Sequence, residues 1–150
     1  MNISRTTAIH EAAHAVAAIR AGLVFDHVTA LPDDADETEG ALHWTDLQSS
    51  GEIELSPRLL AIVSLAGPFA EAREVGRRLE RVFAGYAAAD DREAVAQLGL
   101  DDEQFVAASR ETMELLERDW PLIERIADEL MDGGLLEFDA VEALVIENGD

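Results

Sequence analysis

The chain has 150 residues, 48% of them hydrophobic but only 5% aromatic, and a net charge of −21. That length suits one domain, and a core of Ala, Leu, Val and Ile with few rings favours packed helices. The absence of cysteine excludes disulfides, thiolate nucleophiles and Cys-ligated zinc. A body this acidic, with 11 arginines and no lysine, repels phosphate backbones and anionic lipid heads, which argues against nucleic acid and membrane surfaces as partners.

The plain reading of the acidity is a solvated surface; the sharper one is attraction of a basic substrate or partner. Residues Met1 to Arg5 lack the charged start and apolar run of a signal peptide. The apolar stretches fall short of the roughly 20 residues a membrane span needs, so a cytoplasmic, soluble protein is expected.

Ser4, Thr6 and Thr7 offer N-caps to a first helix over about residues 5 to 21, with Ile9, Ala13, Val16 and Ala17 on its core face and Gly22 as its stop. The run from Val24 to Leu31 is rich in β-formers and reads as a strand ended by Pro32. An acidic loop, Asp33 to Glu39, leads through Gly40 to a second short strand, Ala41 to Thr45, and the two strands form a hairpin with a long tip.

Ser56-Pro57 is a helix start, with Ser as cap and Pro in the first helical position. The helix that follows is apolar on nearly every side from Leu59 to Ala70, which predicts a place at the centre of the domain. Gly67-Pro68 should kink or break it. Residues 76 to 89 read partly as loop. Asp90 or Asp91 caps a short helix ending near Leu98, and Asp101-Asp102 cap another running to about Arg118. Trp120-Pro121 marks a break or kink before the pattern resumes to Asp132. Gly133-Gly134 is a stop, and Phe138 or Asp139 opens a last helix to about Glu147.

The chemistry lies in the first helix. The chain has four histidines, at positions 10, 14, 27 and 43, and the first two stand in His10-Glu11-Ala12-Ala13-His14, an H-E-x-x-H pattern. Residues four apart sit one above the other on a helix face, so two imidazoles can reach one ion. Zinc takes neutral imidazole and lowers the pKa of its bound water towards roughly 7. Glu11, beside the first ligand, is placed as the general base that takes a proton from the zinc-bound water. A catalytic zinc usually has three protein ligands. No histidine follows His43, so the third is expected to be a carboxylate, and an acidic chain offers many.

His10-Glu-Ala-Ala-His-Ala-Val16 resembles the zinc helix of the FtsH-type ATP-dependent proteases. In the same order, His27 to Pro32 is similar to the strand after that helix, and Gly40-Ala-Leu-His to the next, Gly-led strand. Leu65-Ala-Gly-Pro-Phe-Ala-Glu71 resembles the family's Gly-Gly-Arg-x-Ala-Glu helix, and Ala88 to Ala96 the segment whose Asp completes the zinc site. Leu115-Leu116, Ile126 to Leu130 and Leu135-Leu136 are similar to the closing helices. The resemblance covers most of the chain.

The resemblance implies Asp91 as third ligand, with Asp90 as the competing choice; Val95 and Leu98 share the helix face of Asp91 and would turn it inward. For either residue a plain helix N-cap is the alternative. The resemblance also implies that Glu71 accepts the free ring N–H of a ligand histidine. The alternative for Glu71 is an ion pair with Arg73 or Arg77. His27 and His43 fall in strands, where a strand-face histidine without function is the ordinary reading. His43 and Trp44 instead border the substrate cleft if a polypeptide pairs with the edge of the 41–45 strand.

Three departures from the family pattern qualify this. Ala13 replaces the usual Gly, Pro68 stands near the missing Arg, and the sequence holds no G-x-x-x-x-G-K-[ST] loop. The expectation is a single FtsH-peptidase-like domain over residues 1–150, mainly α, with five or six helices and a small β-hairpin beside the zinc helix. Its reaction would be zinc-dependent hydrolysis of peptide bonds in flexible or unfolded polypeptide, alone or with a separate ATPase or adaptor partner. The alternative is a catalytically silent metal-binding adaptor or regulatory module. Oligomeric state is not legible.

Overall fold

The computed structural model describes residues 4–30, 41–43, 48–49, 56–78 and 89–147. The described chain is mainly helical, with small antiparallel sheets, as the composition predicts. Its elements are α1 (Arg5–Arg20), β1 (Leu23–Val24), β2 (His27–Thr29), β3 (Ala41–His43), β4 (Gln48–Ser49), α2 (Pro57–Val75), α3 (Ala89–Gln97), α4 (Asp102–Gly133), β5 (Leu135–Glu137) and α5 (Phe138–Glu147). Among the described residues no helix is long and apolar enough to cross a membrane.

Local chemistry accounts for the helix ends. The Ser4 hydroxyl accepts the Thr7 N–H at 3.3 Å and opens α1. Ser56 does the same for α2 at Leu59, with Pro57 in the first turn, where its missing N–H costs nothing. Asp101 and Gln104 form a reciprocal capping box at the start of α4.

The helix enclosed along most of its length is α1, where every residue from Ala8 to Ala18 is buried. Sequence patterning places the helix beginning at Ser56 at the centre instead. That helix, α2, is largely buried and packs against α1, α3 and α4, but its first turn is exposed. The reason lies in side-chain size. The alanines at 8, 12, 13, 15, 17 and 18 are too small to hold neighbours at a distance, so α2, α4 and α5 all close on α1. Arg20 fixes the α1–α4 contact by donating to both oxygens of the buried Asp119, at 2.9 and 3.1 Å. Arg5 ties the other end of α1 to α2 and α4 through Glu74, Glu124 and Asp128.

Neither proline breaks its helix. α2 runs continuously through Pro68, and α4 runs continuously for 32 residues through Pro121. At Pro121 the carbonyl deprived of its helical donor belongs to Glu117, and both residues are exposed, so water can serve it. Leu115, Leu116, Leu122 and Ile123 are buried on either side and hold the helix to the core.

The expected hairpin exists: β2 and β3 pair antiparallel, with His27 opposite His43 and Thr29 opposite Ala41. The acidic loop expected between them lies outside the described residues. The single strand expected over 24–31 is two. The chain turns at Phe25-Asp26, and β1 pairs with β4 in a separate two-stranded sheet. Sequence reading also missed β5, which flanks β2 on its other side, giving the order β3-β2-β5. Tertiary bonds recruit this segment. The Gly134 carbonyl accepts from Thr29 Oγ1 at 2.7 Å and from the Ala30 N–H, and the Phe138 N–H donates to the Asp26 carbonyl. Gly134 can make that turn because it sits at φ 81°, where a side chain would be strained.

Candidate metal centre

The face of α1 that carries His10 and His14 lies against α2. Helical spacing of four puts the two rings side by side, with centroids 4.9 Å apart. Both residues are buried, 6% and 7% exposed, so each polar ring atom requires a partner.

The partners divide by ring position. His10 Nδ1 lies 2.9 Å from Glu71 Oε1, and His14 Nδ1 lies 2.7 Å from the Val63 carbonyl oxygen. Both acceptors lie on α2 and neither can donate when Glu71 is ionised, so each Nδ1 carries the hydrogen. The Nε2 atoms meet on Asp91, which the short helix α3 brings in. His10 Nε2 is 3.2 Å from Asp91 Oδ2, and His14 Nε2 is 3.3 Å from Asp91 Oδ1. Val95, one turn further along α3, is buried and turns that face of the helix inward.

His10, His14 and Asp91 each offer one ligand atom within 4.8 Å of the others, and the group could hold a metal ion. Each imidazole nitrogen stands 3.2–3.3 Å from an Asp91 oxygen, close to the spacing between two ligands of one ion. A tetrahedral ion with bonds of about 2.0–2.1 Å keeps its ligand atoms about 3.3–3.4 Å apart. The donors are two imidazole nitrogens and a carboxylate oxygen, and the Nδ1 bonds select the tautomer that leaves Nε2 available to a metal.

The electrostatics agree. Burial alone would lower the His10 pKa, but hydrogen bonds donated by its ring to Asp91 and Glu71, together with the nearby charge of Glu11, outweigh it and push it up to about 10. His14 is raised against the same desolvation, chiefly by Asp91. Burial would raise Asp91, yet the two imidazoles, His14 foremost, hold its carboxyl well below the usual carboxylate range. In the metal-free protein, protons on Nε2 therefore balance the surrounding carboxylates, a place that a divalent cation can take. Glu11 is itself buried at 7% exposure and acts electrostatically on both rings.

The structure thus brings together His10, Glu11, His14, Glu71 and Asp91. Glu71 bonds His10, and among the described residues Arg73 instead stacks its guanidinium over Trp120 at 4.4 Å. The Asp90 side chain and Trp44 lie outside the described residues, as does the side chain of His43. His27 is half-buried in β2, and the metal-ligand group does not include it. Sequence reasoning missed the Val63 carbonyl, which carries no side-chain signal. It took Gly67 as part of a helix breaker and of the family's Gly-rich helix motif, and assigned it no role at the site.

These contacts define a class of site: a histidine pair on one helix, oriented from a second and closed by an aspartate from a third. No protein-family model matches the chain, and no curated protein matches it.

Proposed function

We propose that the chain is a zinc-dependent metallopeptidase of the FtsH type that hydrolyses peptide bonds in flexible or unfolded polypeptide. One observation carries the reading: His10 Nε2 and His14 Nε2 converge on the Asp91 carboxylate, with Glu11 buried in the same helix and acting electrostatically on both rings. Two neutral imidazoles and one carboxylate form a three-ligand set suited to catalytic zinc, and the chain has no thiolate to offer a softer or structural site.

A zinc ion held there would supply Lewis acidity, polarising the scissile carbonyl and acidifying a water molecule. His10, His14 and Asp91 would hold the ion. Glu71 and the Val63 carbonyl keep the two rings in the ligand tautomer and prevent them from turning. Glu11 takes the proton of the attacking water and delivers it to the leaving amine. Substrate would lie extended along β3, an outer strand of the described three-stranded sheet that lies against α1.

The test uses protein purified without a metal-affinity tag. Elemental analysis should find zinc equimolar with the chain, and the protein should cleave casein. Glu11→Gln should keep its zinc and its fold while cleavage falls by roughly 10²–10⁴-fold. Cleavage by Glu11→Gln at the parent rate would refute the mechanism. Stoichiometric zinc with no cleavage by the parent would favour the silent metal-binding module.

A further inference from the structure

Gly67 occupies a position that helix energetics alone do not explain. It lies inside α2, and its φ is not among the positive values that favour glycine. At such a site alanine is preferred to glycine by about 1 kcal/mol. The space around it supplies a reason. A Cβ at Gly67 would stand 2.6 Å from His10 Nε2 and 2.7 Å from His10 Cδ2, and closer still to His14 Nε2. Side-chain carbons do not approach ring atoms so closely, so something would have to move.

The rings have little room to yield. Val63, Gly67 and Glu71 are spaced by four and share one face of α2. Val63 holds His14 and Glu71 holds His10, both through Nδ1, and Gly67 stands between these anchors. A ring displaced by a Cβ at position 67 must break its Nδ1 bond or leave Asp91. The atoms that a Cβ would strike are the two Nε2 ligand atoms themselves.

We propose that Gly67 is a positioning residue of the metal site, and that its missing side chain lets the α2 backbone approach both Nε2 atoms while leaving them free to bind an ion. The inference rests on the metal-site reading above. It goes beyond it by assigning a specific requirement to a residue that binds neither metal nor substrate through a side chain.

The experiment compares the parent with Gly67→Ala. Zinc affinity is measured by competition with a chromophoric chelator, coordination by the visible absorption of the Co2+-loaded protein, and stability by melting of the metal-free protein. Gly67→Ala should bind zinc on the order of 100-fold more weakly, the upper end for outer-sphere changes at metal sites, and its cobalt spectrum should differ from the parent's. The same substitution is then made in a His10→Ala/His14→Ala background. With the rings removed, Gly67→Ala should be neutral or raise the melting temperature, whereas in the parent background it should lower it or prevent folding. Zinc affinity within threefold of the parent with an unchanged cobalt spectrum overturns the proposal, as does equal destabilisation in both backgrounds. Failure of the parent to bind zinc or cobalt is a separate result: it removes the metal-site reading, and this role with it.

Discussion

His10 and His14 are the same residue type on the same helix face, yet different groups anchor them: a carboxylate for His10 and a backbone carbonyl for His14. Only the first anchor can be altered by mutation without moving the main chain. Glu71→Gln keeps an acceptor oxygen near Nδ1 but replaces the carboxylate whose hydrogen bond helps raise the His10 pKa with a neutral, weaker acceptor. Zinc affinity should fall about 10-fold, the lower end for changes in a ligand's hydrogen-bond partner, with helicity unchanged. Isothermal titration on parent and variant would measure it, and equal affinities would show that Glu71 does not tune the ligand. His10-Glu11-x-x-His14 was legible as a ligand pattern because a helix has a fixed pitch. Asp91 emerged from the resemblance and an inward-facing register, whereas the Val63 carbonyl could not be found from residue identity.

The helices carry the site through their packing angles and spacing more than through their ends. α1 and α2 run antiparallel at the site, since His14 meets Val63 and His10 meets the later Glu71. The alanines of α1 allow the close approach that this needs. Caps were read correctly at Ser4, Ser56 and Asp101 because they are local hydrogen bonds. The prolines were read as interruptions because a local rule says nothing of the apolar contacts on either side. Pro121 tests this account. Pro121→Ala restores a donor for the Glu117 carbonyl at an exposed position with no packing lost. Helix propensity would add up to about 3 kcal/mol, and the greater freedom of the unfolded chain removes about 1. A gain of about 1–2 kcal/mol in urea unfolding, at unchanged m, is expected. A loss would mean that Pro121 shapes α4 for a purpose beyond continuity.

Across the whole molecule, the candidate metal site should couple stability to pH. His10 has a folded pKa above its ordinary value, so its contribution is complete below about 6.5 and is lost as pH rises towards about 10. Asp91 is shifted down, so its contribution is complete above the ordinary carboxylate range and is lost as pH falls below it. From these groups alone, the metal-free protein is most stable between about pH 4 and 6.5. Zinc needs the Nε2 protons to leave, so the stabilisation it adds should grow as pH rises from 6 to 8. Paired thermal melts with zinc and with chelator measure this as a difference, in which the titration of distant surface carboxylates largely cancels. A zinc-induced shift that shrinks over that range would contradict coordination through these imidazoles.

The sequence by itself determined the helical class, the principal helix starts and the histidine pair, because pitch, capping and apolar periodicity act over a few residues. It also held the β2–β3 pairing, through two β-rich runs separated by a loop. Only the tertiary structure decided which helix is enclosed, that β5 joins β2, that α2 and α4 run on through their prolines, and that Asp91, Glu71, Val63 and Gly67 meet around two imidazoles. Those outcomes depend on contacts between segments tens of residues apart, where side-chain volume and the burial of polar atoms outweigh local preference.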